Sequence, residues 1–164
     1  MEEANYTHPV ENELSDQLIS EVQLVPATTG QRFLNYLIDN LLLQYGLSLL
    51  TGMAIGTLLA VFFPDYMLEL SQSDDSFALL PFAYLLVIVN YLVYYTICEK
   101  AFKGYTLGKL ITGTRATRED GNELTFKDAL LRSLSRLVPF EVFSAFGGYP
   151  WHDSWTKTRV IKSR

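Results

Sequence analysis

Positive charge is almost missing from the first half of this 164-residue sequence: of its 13 lysines and arginines, only Arg32 precedes Lys100. Cysteine is nearly absent too. With Cys98 alone, no disulfide can close within the chain and no cysteine-rich metal site can form. Charged residues make up 19% of the chain, below the roughly one quarter usual in soluble domains, while 49% are hydrophobic and 13% aromatic. The length suits a single domain.

The scarcity of charge is concentrated in two blocks. From Phe33 to Phe63 the only side chain expected to be ionised is Asp39, and from Phe77 to Cys98 there is none. Each block exceeds the roughly 20 residues that cross a bilayer's hydrocarbon as a helix. Two spanning helices are therefore predicted, over about residues 33–62 and 77–98. A soluble fold would have too little remaining chain to cover both. The first block lies behind thirty hydrophilic residues, is too long for a signal-peptide core and lacks a basic lead-in, so the mature protein is expected to keep it.

Lysine and arginine near the spans set orientation. The connector from Pro64 to Ser76 carries Asp65, Glu69, Asp74 and Asp75 and no basic residue, whereas the other twelve lysines and arginines follow the second block. The connector is thus expected to face away from the cytoplasm, with both termini cytoplasmic. Residues 1–25 form an acidic segment poor in aromatics, read as a disordered tail. Residues 26–164 form the membrane domain, of which residues 100–164 are cytoplasmic or interfacial.

In that last part, Thr106 is placed to cap a short helix, "LGKLI", which Gly113 would stop. "TRATR" and "TKTRVIK" have strand composition and are predicted to pair as a small C-terminal β-ribbon. Thr125 with Asp128 has the pattern of a helix cap. In the helix that follows, Phe126, Leu130, Leu131, Leu134, Leu137 and Val138 share one side, with Lys127, Arg132 and Arg136 elsewhere. This suits an amphipathic helix in the headgroup plane, or a re-entrant segment broken near Pro139 and ended by Gly147 and Gly148. A third span is disfavoured, because it would bury Arg132 and Arg136 in hydrocarbon and carry the basic C-terminus outside. The fold class is an all-α membrane protein with two spans, this helix and the ribbon.

Three motifs then stand in order around the spans: "RFLNYLID", "GYTLGKLITGTRATREDG" and "WHDSWTKTRVI". Together they resemble the RDD family of bacterial membrane proteins, over roughly residues 26–162. The resemblance implies an arginine at Arg32, a first aspartate at Asp39 and a second at Asp153, with Asp120 as the fallback. It also implies a bacterial cytoplasmic (inner) membrane location. Transport has been supposed for the family, and some members are linked to sodium–proton exchange.

The residues allow two readings. Seven helical positions bring Arg32 and Asp39 to one face, roughly 10 Å apart along the axis, with Asn35 and Tyr36 between them. This would make a polar ramp from the inner surface, and an intramembrane carboxylate is by default a functional candidate. On one reading Asp39 is a proton or cation site in ion or small-solute transport. On the other, Arg32, Asp39 and Asp153 form a structural ion-pair cluster in an accessory subunit, with His152 beside it. Asn90, mid-span, is expected to bridge helices, and Gly52 and Gly56, one turn apart, to permit close helix approach. Two spans cannot enclose a polar path, so a transporting form is expected to be a homo-oligomer or to join a membrane partner.

Enzymatic readings are weak. Gly104, Gly108 and Lys109 lack phosphate-loop spacing, and His152 with Ser144 or Ser154 makes no specific triad. No enzyme activity, cofactor or metal is expected. The basic residues are explained by anionic lipid headgroups, without nucleic acid.

Overall fold

A computed structural model describes residues 25–72, 79–144 and 147–163. The expected disordered tail lies outside these residues except for Val25, whose carbonyl accepts a hydrogen bond from Lys162 N at 2.8 Å.

The fold is mostly helical, with two helices long and apolar enough to cross a membrane and one small sheet. The first runs unbroken from Thr29 to Phe62. It comprises α1 (Thr29–Leu41), a π-helical segment (Leu42–Leu47) and α2 (Ser48–Phe62). It begins earlier than the hydrophobic block because Thr28 caps it. The Thr28 hydroxyl accepts from Gln31 N at 3.2 Å and the Gln31 side chain returns a bond to Thr28 N at 3.0 Å. Helix α3 (Pro64–Gln72) follows, then α4 (Leu80–Ala101), the second apolar helix. This one also departs from the expected limits. It starts later, with Pro81 in its first turn, and continues past Cys98 through Glu99 and Lys100.

The two long helices are antiparallel neighbours joined by polar bridges, Tyr94 to Asp39 and Asn90 to Thr51. Asn90 is buried and donates to the Thr51 hydroxyl at 2.8 Å. The expected packing at Gly52 and Gly56 is not made: a Cβ on either would meet nothing within 4 Å among the described residues. The close approach occurs instead at Gly108, where a Cβ would collide with the backbone of Asn35.

Beyond α4 come α5 (Leu107–Thr112), β1 (Thr114–Arg118), α6 (Phe126–Ser135), α7 (Glu141–Ser144), α8 (Trp151–Thr156) and β2 (Thr158–Lys162). Thr106 caps α5, and Gly113 ends it in the left-handed region at φ 68°. Thr125 and Asp128 form a reciprocal capping box on α6. Strands β1 and β2 pair antiparallel, with Ala116 opposite Val160. Residues 25–27 lie along the other edge of β2, where Ala27 N reaches Val160 O at 2.9 Å. Pro26 is tolerated there because an edge position makes no demand for its missing N–H. Ala27, Ala116, Leu124 and Val160 form a small buried cluster around this sheet. The aliphatic core is otherwise sparse, and polar side chains occupy much of the interior.

Candidate functional site

The charged end of the two long helices is closed by a buried ion network. Glu99, in the last turn of α4, is fully buried and meets three cations: Lys109 at 2.5 Å, Arg136 at 2.7 Å and Arg132 at 2.9 Å. Arg132, also fully buried, passes the chain of charge to Asp153 at 2.6 Å, and Asp153 meets Arg32 at 2.5 Å. Arg132 also contacts the Thr158 hydroxyl, and Arg32 reaches the carbonyls of Ala27 and Val160, each at 3.4 Å. The network ties α1, α4, α5, α6 and α8 into one unit. Breaking such a buried pair from one side commonly costs about 3–5 kcal/mol, because the orphaned charge remains in a low-dielectric site.

Asp39 stands in a separate arrangement. Its carboxylate accepts from the Thr106 hydroxyl at 2.6 Å, the Tyr94 hydroxyl at 2.8 Å and Gly108 N at 2.8 Å. It thereby satisfies an orphan donor in the first turn of α5, and only 1% of its surface is exposed. One turn earlier, Asn35 is buried against the other end of α5. With its oxygen taking the Thr114 hydroxyl at 2.9 Å, its nitrogen reaches the carbonyls of Gly108 and Gln31 at 3.1 Å. The α5 helix is held along its length by two polar side chains of α1. That needs the bare Gly108 between them.

Several sequence expectations change here. Arg32 and Asp39 project from the same helix, but no hydrogen bond or ion pair joins them among the described residues. They dock onto α8 and α5 respectively. The two ends of the stripe are thus anchored separately, although Arg32, Asn35, Tyr36 and Asp39 all line one pocket. Tyr36 does not bridge them; it is 37% exposed and its ring walls a pocket. Asp153 joins Arg32, whereas Asp120 stays in the turn after β1, accepting from Asn122 N at 3.0 Å. Arg132 and Arg136 do not lie out at a headgroup layer; they point into the protein toward Glu99. The sequence reading passed over Glu99, Lys109 and these two arginines as a cluster. A signal was present: Ala129, Arg132, Ser133 and Arg136 share the side of α6 opposite its leucines.

His152 lies 2.5 Å from Glu141 through Nδ1 and 3.4 Å from Asp153 through Nε2. Burial and the nearby Arg136 push His152 down to about 4, so it is neutral at pH 7 despite its acidic neighbours. Burial works against the charge on Asp153, but Arg132, His152 and Arg32 overcome it and hold the carboxyl well below the usual range. Lys109 is pushed down to about 8, by burial first and by Arg136 and Arg132, with Glu99 opposing.

A pocket of about 230 Å³ opens beside the network, lined by Arg32, Asp39, Lys109, Arg136, Glu141 and His152 and by mostly apolar or aromatic walls. Among the described residues, no group of three or more histidine, cysteine or acidic side chains is arranged to hold a metal ion.

A family model described as the RDD family matches residues 26–150, most of the chain. The chain belongs to the RDD family. The match takes in Arg32, Asp39, Glu99, Lys109, Arg132 and Arg136 and ends three residues before Asp153. Neither the curated proteins nor the solved structures gave a match. RDD is a membrane-associated family, in keeping with the two apolar helices.

Proposed function

We propose that this RDD protein is a non-enzymatic accessory or scaffold subunit of a bacterial inner-membrane complex, whose charged cluster clamps a cytoplasmic lobe onto two spans. The observation that carries this reading is the state of Asp39: three donors fill its carboxylate, and the rest of its surface is covered. A carboxylate so occupied serves as a helix anchor, and an ion would have to displace those donors. The orientation follows the lysines and arginines, with both termini cytoplasmic and the connector outside. Helix α6 lies at the inner interface. Phe126, Leu131 and Leu134, which are 58%, 42% and 43% exposed, meet the acyl region there, and the basic lobe meets anionic headgroups. The open face at Gly52 and Gly56 is where a partner span, or a second copy, packs.

A second reading keeps Asp39 as a proton or cation site in transport, favoured by the one fact that Asp39 lines the pocket. Because two spans cannot enclose a path, this reading requires an oligomer or a larger complex. Asp39→Asn separates the two. The amide oxygen would keep the Tyr94 and Gly108 donors, but the charge is lost and the amide nitrogen would face the Thr106 hydroxyl that now donates, costing about 1–3 kcal/mol of stability. The scaffold reading expects that loss in detergent unfolding, together with wild-type vesicles that carry no pH-gradient-coupled cation flux. Flux in the wild type that vanishes in a variant of unchanged stability and oligomer size would establish transport instead.

A further inference from the structure

Helix α5 reverses the pattern of a helix on a water-facing surface. Gly108 and Lys109 are buried and Thr112 is half-buried, while Leu107, Leu110 and Ile111 are 41%, 50% and 63% exposed. Every exposed side chain of this helix is aliphatic. On a soluble protein such a face would mark a site that something else covers. The helix that α5 crosses is arranged in the same way: α1 buries Asn35 and Asp39 and exposes Leu34, Leu37 and Leu41. The aliphatic face of α5 thus continues the outer surface of a helix long and apolar enough to cross a membrane.

The position of α5 along the long helices agrees. Helix α4 has 22 residues, about 33 Å at 1.5 Å each, close to the roughly 30 Å of a bilayer's hydrocarbon. Leu107 N donates to the hydroxyl of Tyr94, two turns before the last residue of α4, Ala101, and so roughly 10 Å back along its axis. The chain therefore leaves α4, doubles back and begins α5 beside Asp39, well short of the helix end. It then runs toward the start of α1, where Gln31 Nε2 donates to Thr112 O at 3.2 Å.

The backbone of α5 is provided for without water. The first residues of a helix have N–H groups that the helix itself leaves free, and in hydrocarbon only protein can satisfy them. In α5 each has a protein acceptor: Leu107 N the Tyr94 hydroxyl at 3.2 Å, Gly108 N the Asp39 carboxylate at 2.8 Å, Lys109 N the Thr106 hydroxyl at 3.4 Å. The one ionised side chain of the helix, Lys109, turns inward onto Glu99 at 2.5 Å.

We propose that α5 is a re-entrant helix within the bilayer, in the leaflet that holds the charged ends of the two long helices, with Leu107, Leu110 and Ile111 against acyl chains. Asp39 and Tyr94 then stand in for water at its buried start. This rests on reading the two apolar helices as membrane spans, and it holds for a scaffold and a transporter alike.

The test uses the full chain carrying Cys98→Ser, which leaves no native thiol, with one introduced cysteine at a time bearing a nitroxide. The protein is reconstituted in vesicles of equal parts dioleoylphosphatidylcholine and dioleoylphosphatidylglycerol. Leu110→Cys and Ile111→Cys report on α5. Leu58→Cys reports on the exposed surface of the first span, and Glu123→Cys on the exposed ion pair with Lys103. Power saturation compares collisions with oxygen, which dissolves in hydrocarbon, against collisions with a water-soluble nickel chelate. Oxygen should dominate several-fold at Leu58, Leu110 and Ile111, and nickel at Glu123. Nickel dominating at Leu110 and Ile111 while oxygen dominates at Leu58 overturns the proposal and leaves the spans in place. Nickel dominating at Leu58 as well removes the membrane reading beneath it. Protection of both α5 sites from both reagents means that a second copy covers the face, which also overturns the proposal. If Cys98→Ser does not fold, the wild-type chain is photolabelled in the same vesicles with a phosphatidylcholine bearing a diazirine in its acyl chain. Adducts on Leu107, Leu110 or Ile111 are then expected, and adducts confined to the two long helices overturn the proposal.

Discussion

At the scale of single residues, His152 gives a pH dependence whose sign can be worked out. Its folded value of about 4 lies below the ordinary 6.5, so the unfolded chain binds more protons between those limits. Stability therefore falls as pH drops from 6.5 toward 4. A displacement of that size corresponds to about 3 kcal/mol across the window. Asp153, also depressed, adds its own loss only at lower pH, below the ordinary carboxylate range, as its pairs with Arg32 and Arg132 are protonated away. Unfolding midpoints in detergent from pH 7.5 to 4.5 check the first effect. His152→Gln should flatten the slope between pH 6.5 and 4.5, and a slope unchanged in that variant would locate the titrating group elsewhere.

At the scale of elements, the contrast between two sets of glycines is informative. Gly108 lies where α5 crosses α1, and a methyl group there strikes the Asn35 backbone, which cannot yield as a flexible side chain would. Gly108→Ala is expected to cost at least about 2 kcal/mol and to loosen Asp39 and Asn35 together. Gly52→Ala and Gly56→Ala, facing open space inside a helix, should not destabilise the isolated chain, each gaining up to about 1 kcal/mol of helix propensity, and should alter the mass only of a complex that packs there. Circular dichroism melts alongside size-exclusion light scattering separate these outcomes. Caps and periods were legible in the sequence, as Thr106, Gly113, Thr125 and the paired "TRATR" and "TRVIK" segments show. Crossing geometry was not, because a glycine needed for contact and a glycine facing open space have the same one-letter code. The limits of the two apolar helices were also partly hidden. Hydropathy marks where apolar residues begin, whereas helices α1 and α4 extend until a cap or a turn ends them, at Thr28 and Phe102.

For the molecule as a whole, the network exchanges an ordinary aliphatic core for buried charge. A lobe with few large buried hydrophobes is held to two apolar helices by Arg32, Asp153, Arg132, Glu99, Lys109 and Arg136 in one connected chain of ion pairs. The pairing of Arg32 with Asp153 was foreshadowed only within an expected Arg32, Asp39 and Asp153 cluster, and the family match itself stops before Asp153. The central place of Glu99 and Arg132 was not foreshadowed, because their meeting depends on α6 turning its charged side inward. The most direct measurement is a double-mutant cycle on Arg32 and Asp153, by unfolding in detergent with Arg32→Met, Asp153→Asn and the pair, and with Asp120→Asn as a control. The account predicts a coupling of about 2 kcal/mol between Arg32 and Asp153 and an unchanged midpoint for Asp120→Asn. Additive effects at Arg32 and Asp153, with no coupling beyond error, would contradict it.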